Sequence, residues 1–140
     1  MRSVIEQNIK TAGQHIIGVF DPEQKRDSFA YTVGNAPQGF PELLLIGSFP
    51  PNVMMMMLNA VGTHMRNAES PLEEGMLDID WTFPFKIRKT GERAKADFTV
   101  QAGQYLGRED YEVLQVMICD KHGKYPGDAG VAEGFDVEQP

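Results

Sequence analysis

The sequence predicts a single α+β domain: a mixed or mainly antiparallel sheet of five to six strands, with one major helix packed on it. Three observations predict it. Short apolar runs with β-like character recur between Gly, Pro and Asp punctuation. One longer stretch, 50–67, is apolar at helical spacing. The chain has 140 residues, the usual size of one domain and enough to bury a core without disulfide or metal staples.

The elements follow in order. Ser3 to Gly13 reads as a short helix: Ser3 and Glu6 have capping-box spacing, Val4, Ile5, Ile9 and Ala12 repeat helically, and Gly13 suits a C-terminal cap. His15 to Phe20 is a β-like run, and Asp21 to Asp27 is a charged turn opened by Asp-Pro. Ser28 to Val33 is a second strand. Its alternation puts Phe29, Tyr31 and Val33 on one face and the small residues Ala30 and Thr32 on the other. After a loop, Asn35 to Gly39, comes Glu42 to Ser48. Its Leu43-Leu44-Leu45-Ile46 is apolar on both faces, the sign of a central strand covered on both sides.

Pro50 and Pro51 open the main helix, where proline is tolerated. Val53, Met56, Met57, Ala60, Val61, His64 and Met65 form its expected buried stripe, which leaves Met54 and Met55 facing outward. Asn67 to Gly75 is a polar loop. Met76 to Trp81 and Phe83 to Ile87 read as strands, one of them at an edge because of Pro84. Thr90 to Ala96 is charged and loop-like, Phe98 to Leu106 a short helix, and Tyr111 to Cys119 the last strand. Asp120 to Gly123 is a turn, and residues 128–140 read as a loosely ordered tail. A small barrel-like sheet is an arrangement that short strands and one main helix would also suit.

Composition narrows the classes of function. A formal net charge of −7 argues against nucleic acid and anionic membranes as partners, since both require a basic patch. The single cysteine, Cys119, excludes a disulfide within the chain and a Cys-rich zinc site. It ends an apolar run and reads as a small buried hydrophobe. No apolar run approaches the roughly 20 residues of a membrane span, and the start of the chain lacks a signal-like apolar centre. A cytoplasmic location is therefore expected.

No phosphate-cradling glycine loop, dinucleotide fingerprint or nucleophile elbow is present. His15, His64 and His122 show no ligand spacing, so neither metal nor cofactor is assigned, and no catalytic residue is named. His64, on an apolar helical face, reads as a core histidine. Five residues remain as candidate binding groups. Tyr31 and Thr32 lie on a strand whose small-residue face, Ala30, Thr32 and Gly34, admits a ligand or a helix. Glu42, at the mouth of an apolar strand, is a general base, a ligand-orienting group, a solvent-exposed strand start or half of a structural ion pair. Gln115 sits inside Val113 to Ile118 and either reads a ligand or ties strands together. His122, in an exposed turn beside Asp120 and Gly123, is the best-placed acid-base group.

Several ordered segments resemble the bacterial family of domains of unknown function numbered 4262 (DUF4262). They are Gly18-Val19-Phe20, Phe29-Ala30-Tyr31-Thr32-Val33-Gly34, Pro41-Glu42-Leu43-Leu44-Leu45-Ile46-Gly47, Pro50-Pro51 and Leu58-Asn59, then Leu114-Gln115-Val116, Asp120, Gly123 and Tyr125-Pro126. The resemblance spans residues 13–130 and implies no particular activity. Phe40 stands where the family usually has His before Pro-Glu, and Asn35 where it usually has Leu; Ser70 to Gly107 matches poorly. Two functions are compatible with these features. One is a small-molecule-binding domain with a site near Tyr31, Thr32, Glu42, Gln115 and His122. The other is an acidic protein-interaction module, such as one encoded with a mobile element, with Met54 and Met55 at a subunit contact or homodimer interface.

Overall fold

The computed structural model describes residues 2–20, 28–68, 72–107 and 110–140. The expected charged turn at Asp21 to Asp27 lies outside them, as does part of the polar loop before Gly75. Helix α1 (Arg2–Ala12) leads into strands β1 (His15–Val19), β2 (Phe29–Val33) and β3 (Glu42–Ile46). Helix α2 (Pro51–Ala68) follows, then β4 (Gly75–Leu77), β5 (Phe85–Lys89), α3 (Glu92–Asp97), α4 (Val100–Leu106) and β6 (Val113–Met117). The strands form one six-stranded sheet in the order β1-β2-β3-β6-β5-β4. The β3–β6 pair is parallel and every other pair antiparallel. The sheet is mixed and mainly antiparallel, and it is open, with β1 and β4 at its edges, rather than barrel-like.

Both faces of the sheet are covered. On one, Ala30, Leu43, Leu45, Leu114 and Val116 join Met54, Met57, Leu58, Val61 and Met65 of α2. On the other, Phe29, Tyr31, Leu44, Ile46 and Val113 join Ile5 of α1, Ala94 of α3, Ala102 of α4 and Val137. The expected alternation in β2 and the two-sided apolar character of β3 are thus realised, and the small face of β2 receives a helix. A single major helix does not describe the layers fully, because α1, α3 and α4 cover the face that α2 leaves open.

Several local expectations need correction. Helix α1 begins at Arg2, so Ser3 lies inside it rather than capping it, whereas Gly13 closes it at φ +86° with its N–H on the Ile9 carbonyl (2.8 Å). The buried face of α2 is Met54, Met57, Leu58, Val61, Gly62 and Met65. Met54 is fully buried, and it is Met55 and Met56 that face outward, at 49% and 56% exposure. His64 is also exposed rather than in the core. The stripe is rotated by one position because four consecutive methionines offer apolar side chains on every side. What fixes the phase is Gly62, where a Cβ would meet the Gln14 amide at 2.4 Å. The strand expected from Met76 to Trp81 is only Gly75–Leu77, and the charged stretch expected as a loop contains α3. That helix has six residues, too few to show a periodicity.

Residues 128–140, whose composition reads as a loose tail, lie against the sheet. Val137 and Pro140 are buried, and the Glu138 carbonyl accepts a hydrogen bond from Gln115 Nε2 (2.8 Å). No helix among the described residues is long and apolar enough to cross a membrane.

Candidate functional site

Glu42 is the most constrained of the candidate residues. It is fully buried at the start of β3, and its carboxylate accepts four hydrogen bonds. Oε1 receives Thr32 Oγ1 (2.8 Å) and the Asn35 N–H (3.2 Å). Oε2 receives the Ala36 N–H (2.9 Å) and the Gly34 N–H (3.1 Å). The chain folds this way locally because Gly34 takes φ +114° and turns successive N–H groups of the 34–36 turn toward one point. Burial pushes the Glu42 carboxyl up from its ordinary range, and the Ala36, Thr32, Asn35 and Gly34 donors pull it back in part.

Every neighbour of this carboxylate has a structural partner. Thr32 Oγ1 donates to Glu42 and accepts from the Leu43 N–H (2.8 Å) and Asn35 Nδ2 (3.2 Å). Asn35 Nδ2 also donates to Gln14 Oε1 (2.8 Å). Arg66 Nη1 donates to Gln14 Oε1 and Asn35 Oδ1, each at 2.9 Å, and Nη2 donates to the Ala12 carbonyl (3.0 Å). Glu42 and Arg66 are thus linked through Asn35 and Gln14, in a polar lock that joins α1, α2 and the β2–β3 turn. Neither oxygen of Glu42 is turned toward an open space where a substrate could sit.

The other candidates occupy separate places. Tyr31 is buried in the layer that α1, α3 and α4 cover, stacked with Phe29, and its hydroxyl accepts the Gln101 N–H at the start of α4 (3.3 Å). Burial raises its pKa above the ordinary value of 10.0. Gln115 Oε1 accepts from Arg88 Nη1 (2.9 Å), its register partner on β5, while Nε2 goes to Glu138. It therefore ties a neighbouring strand and the C-terminal segment at once. His122 lies in the turn after β6, at the far end of the sheet from Glu42, which pairs with Val113 where β6 begins. The buried carboxylate beside it, Asp120, accepts the His122 N–H (2.9 Å), Lys124 N–H (3.0 Å) and Ala132 N–H (2.9 Å). The Lys124 and Ala132 donors hold its pKa below the usual value. Of the five candidates, Thr32 and Glu42 are joined by a side-chain hydrogen bond.

A concave surface lies around Tyr111. A cleft of about 560 Å³ is lined by Glu92, Lys95, Val100 and Gln104 as well as Tyr111. A second hollow of about 350 Å³ adjoins it through Glu92, Lys95 and Tyr111. A third, of about 230 Å³, shares Asp110, Tyr111 and Glu112 with the second and reaches Ala36 and Phe40. Lys95 Nζ stands 4.9 Å from the centre of the Tyr111 ring. The Tyr111 hydroxyl donates to the Thr99 carbonyl (3.2 Å) and lies 3.0 Å from Thr99 Oγ1, which fixes the ring under α4. The sequence does not signal this surface, because Lys95 falls in a charged stretch expected as a loop and Tyr111 at the first residue of an expected strand. Among the described residues, no group of three His, Cys, Asp or Glu side chains is placed to hold a metal ion.

Fold and site together define a two-sided mixed-sheet domain whose buried polar groups lock its turns and three of whose hollows share one tyrosine. Over residues 8–132 the chain matches the family described as Domain of unknown function (DUF4262), and it belongs to that family. No curated protein and no solved structure matches it.

Proposed function

We propose that this domain binds a small polar molecule in the cleft around Tyr111. The observation that carries the reading is that three adjoining hollows share one anchored aromatic ring with an ammonium group beside it. The largest falls within the roughly 300–1,000 Å³ range of small-molecule sites. Glu92, Gln104 and Asp110 supply acceptors and Lys95 a donor, a mixed set suited to orienting a polar ligand against a ring. Two of the sequence-nominated residues support the cleft from behind. Tyr31 holds the start of α4, and Glu42 holds Ala36, part of the third hollow. The reading assigns binding and no reaction.

The same proposal takes the protein to be bacterial, as the family resemblance implies, and cytoplasmic, and to act without nucleic acid or anionic membrane partners, the last on the strength of its net charge of −7. Native mass spectrometry of the protein purified from its own host tests the reading. A bound small molecule should be present in the wild type and absent from Lys95→Ala and Gln104→Ala at unchanged melting temperature. A ligand retained in both variants, or no small molecule bound to the wild type, would refute it. A second reading, an acidic protein-interaction module, draws on the outward pair Met55 and Met56. It predicts self-association in sedimentation that Met55→Lys with Met56→Lys abolishes; a monomer at every concentration counts against a homodimer.

A further inference from the structure

We propose that the face of the sheet over Gln115 and Arg88 is a binding slot for an extended acidic peptide, which the chain fills with its own residues 136–140. Tyr31, Leu44, Gln115 and Arg88 are successive register partners across β2, β3, β6 and β5. One cross-strand row thus runs from apolar to polar. Gln115 is fully buried on a central strand, where an unmatched amide is costly. What matches it comes from the C-terminal segment. Gln115 Nε2 donates to the Glu138 carbonyl (2.8 Å), and Arg88 Nη1 donates to the Pro140 main-chain oxygen (2.9 Å) while also holding Gln115 Oε1. The Gly91 N–H adds a second bond to Pro140 (3.2 Å).

The pattern is that of peptide recognition. Alternate main-chain oxygens, those of residues 138 and 140, face the slot, as in an extended segment. Val137, just before them, is buried in the cluster that includes Ala94 and Phe98, and the Glu138 carboxylate pairs with Arg93. The slot therefore reads an extended backbone through Gln115, Arg88 and Gly91. It selects an apolar residue followed by an acidic one through the α3 face and Arg93. The segment makes no strand ladder with β5 or β6, so it is held by side chains and by the Gly91 and Gly127 N–H groups rather than woven into the sheet. Arg88, Arg93 and Gln115 all lie inside the family-matched region, whereas residues 136–140 lie beyond its end at 132.

The test uses the full chain with Val137→Asp and Glu138→Lys, which spoils the apolar contact and repels Arg93. The probe is a fluorescein-labelled peptide with the sequence of residues 135–140. Anisotropy should show the variant binding this peptide at least about tenfold more tightly than the wild type, whose slot is occupied in cis. Adding Gln115→Leu should abolish binding, and a peptide carrying the same two substitutions should not bind. A variant with wild-type circular dichroism that fails to bind at about 1 mM peptide, or a wild type that binds equally well, overturns the proposal. If the variant does not fold, wild-type chain with a protease site inserted after Gly134 is cut in the folded state. The released segment must then exchange for labelled peptide, and a fragment that never exchanges overturns the proposal too.

Discussion

Replacing Glu42 by Gln changes one oxygen to NH2 and almost nothing in size. The four donors on the carboxylate divide evenly, with Thr32 and Asn35 on Oε1 and Gly34 and Ala36 on Oε2. Whichever oxygen becomes the amide nitrogen, two buried donors then face a donor. Thr32 cannot compensate by turning, since its oxygen already accepts from Leu43 and Asn35. Each orphaned buried donor costs about 1–3 kcal/mol. The amide is cheaper to bury than the carboxylate, which offsets part of this. The net loss expected is about 2–4 kcal/mol, or roughly 10 °C in Tm for a domain of this size. Urea unfolding followed by the single Trp81, packed on Phe85, measures it. A pH series adds a sign. Burial raises the folded carboxyl above its ordinary value of 4.5, so the native state binds this proton more tightly than the unfolded chain. Stability of the wild type relative to the Gln variant should therefore rise as pH falls from the folded pKa toward 4.5. A loss below about 0.5 kcal/mol at unchanged m-value would refute the lock as described.

Three further outcomes follow from the same structure. Asp120→Asn should lower Tm at neutral pH and speed amide exchange at Ala132. Because the native pKa of Asp120 lies below the ordinary 3.8, its contribution is full above that value and is lost as pH falls through the folded pKa, so the variant should have a flatter acid limb in Tm. Tyr125→Phe removes a 2.6 Å hydrogen bond to the Pro84 carbonyl. With burial, and then Cys119 beside it, pushing the Tyr125 hydroxyl up to about 12, the wild type should lose stability as pH rises from 10.0 toward that value, and the Phe variant should lose less. In α2, Met54→Ala should cost about 2–5 kcal/mol and Met56→Ala less than about 0.5 kcal/mol in urea unfolding. The reverse order would restore the stripe expected from the sequence.

The strands and α2 were legible because burial writes a period into the chain: two in β2, continuous apolarity in β3, helical in 50–67. The phase of α2 was not, since Met54 to Met57 satisfies more than one stripe and the deciding contact, Gln14 over Gly62, joins residues far apart in sequence. Helix α3 was hidden for a different reason. Its burial comes from Ala94 alone, and its start is held by the C-terminal segment through Gly91 and Arg93. No local pattern carries that information.

The candidate site shows the same division between local and distant causes. A buried carboxylate or amide in an apolar strand is a signal that something must satisfy it, and Glu42 and Gln115 both carry that signal in the sequence. The signal does not say whether the partner is a ligand or the chain itself. For Glu42 the partner is the adjacent turn, three N–H groups within eight residues of it, and this sequestration leaves the carboxylate no free lone pair for chemistry. For Gln115 the partner is a segment more than 20 residues away, held by few bonds. The two buried groups thus differ in what their satisfaction implies. A local partner cannot leave without unfolding the turn that makes it, whereas a distant, side-chain-held partner can be exchanged for another of the same chemistry. That difference makes the slot over Gln115, rather than the conspicuous acid of β3, the buried polar group from which a binding function can be tested.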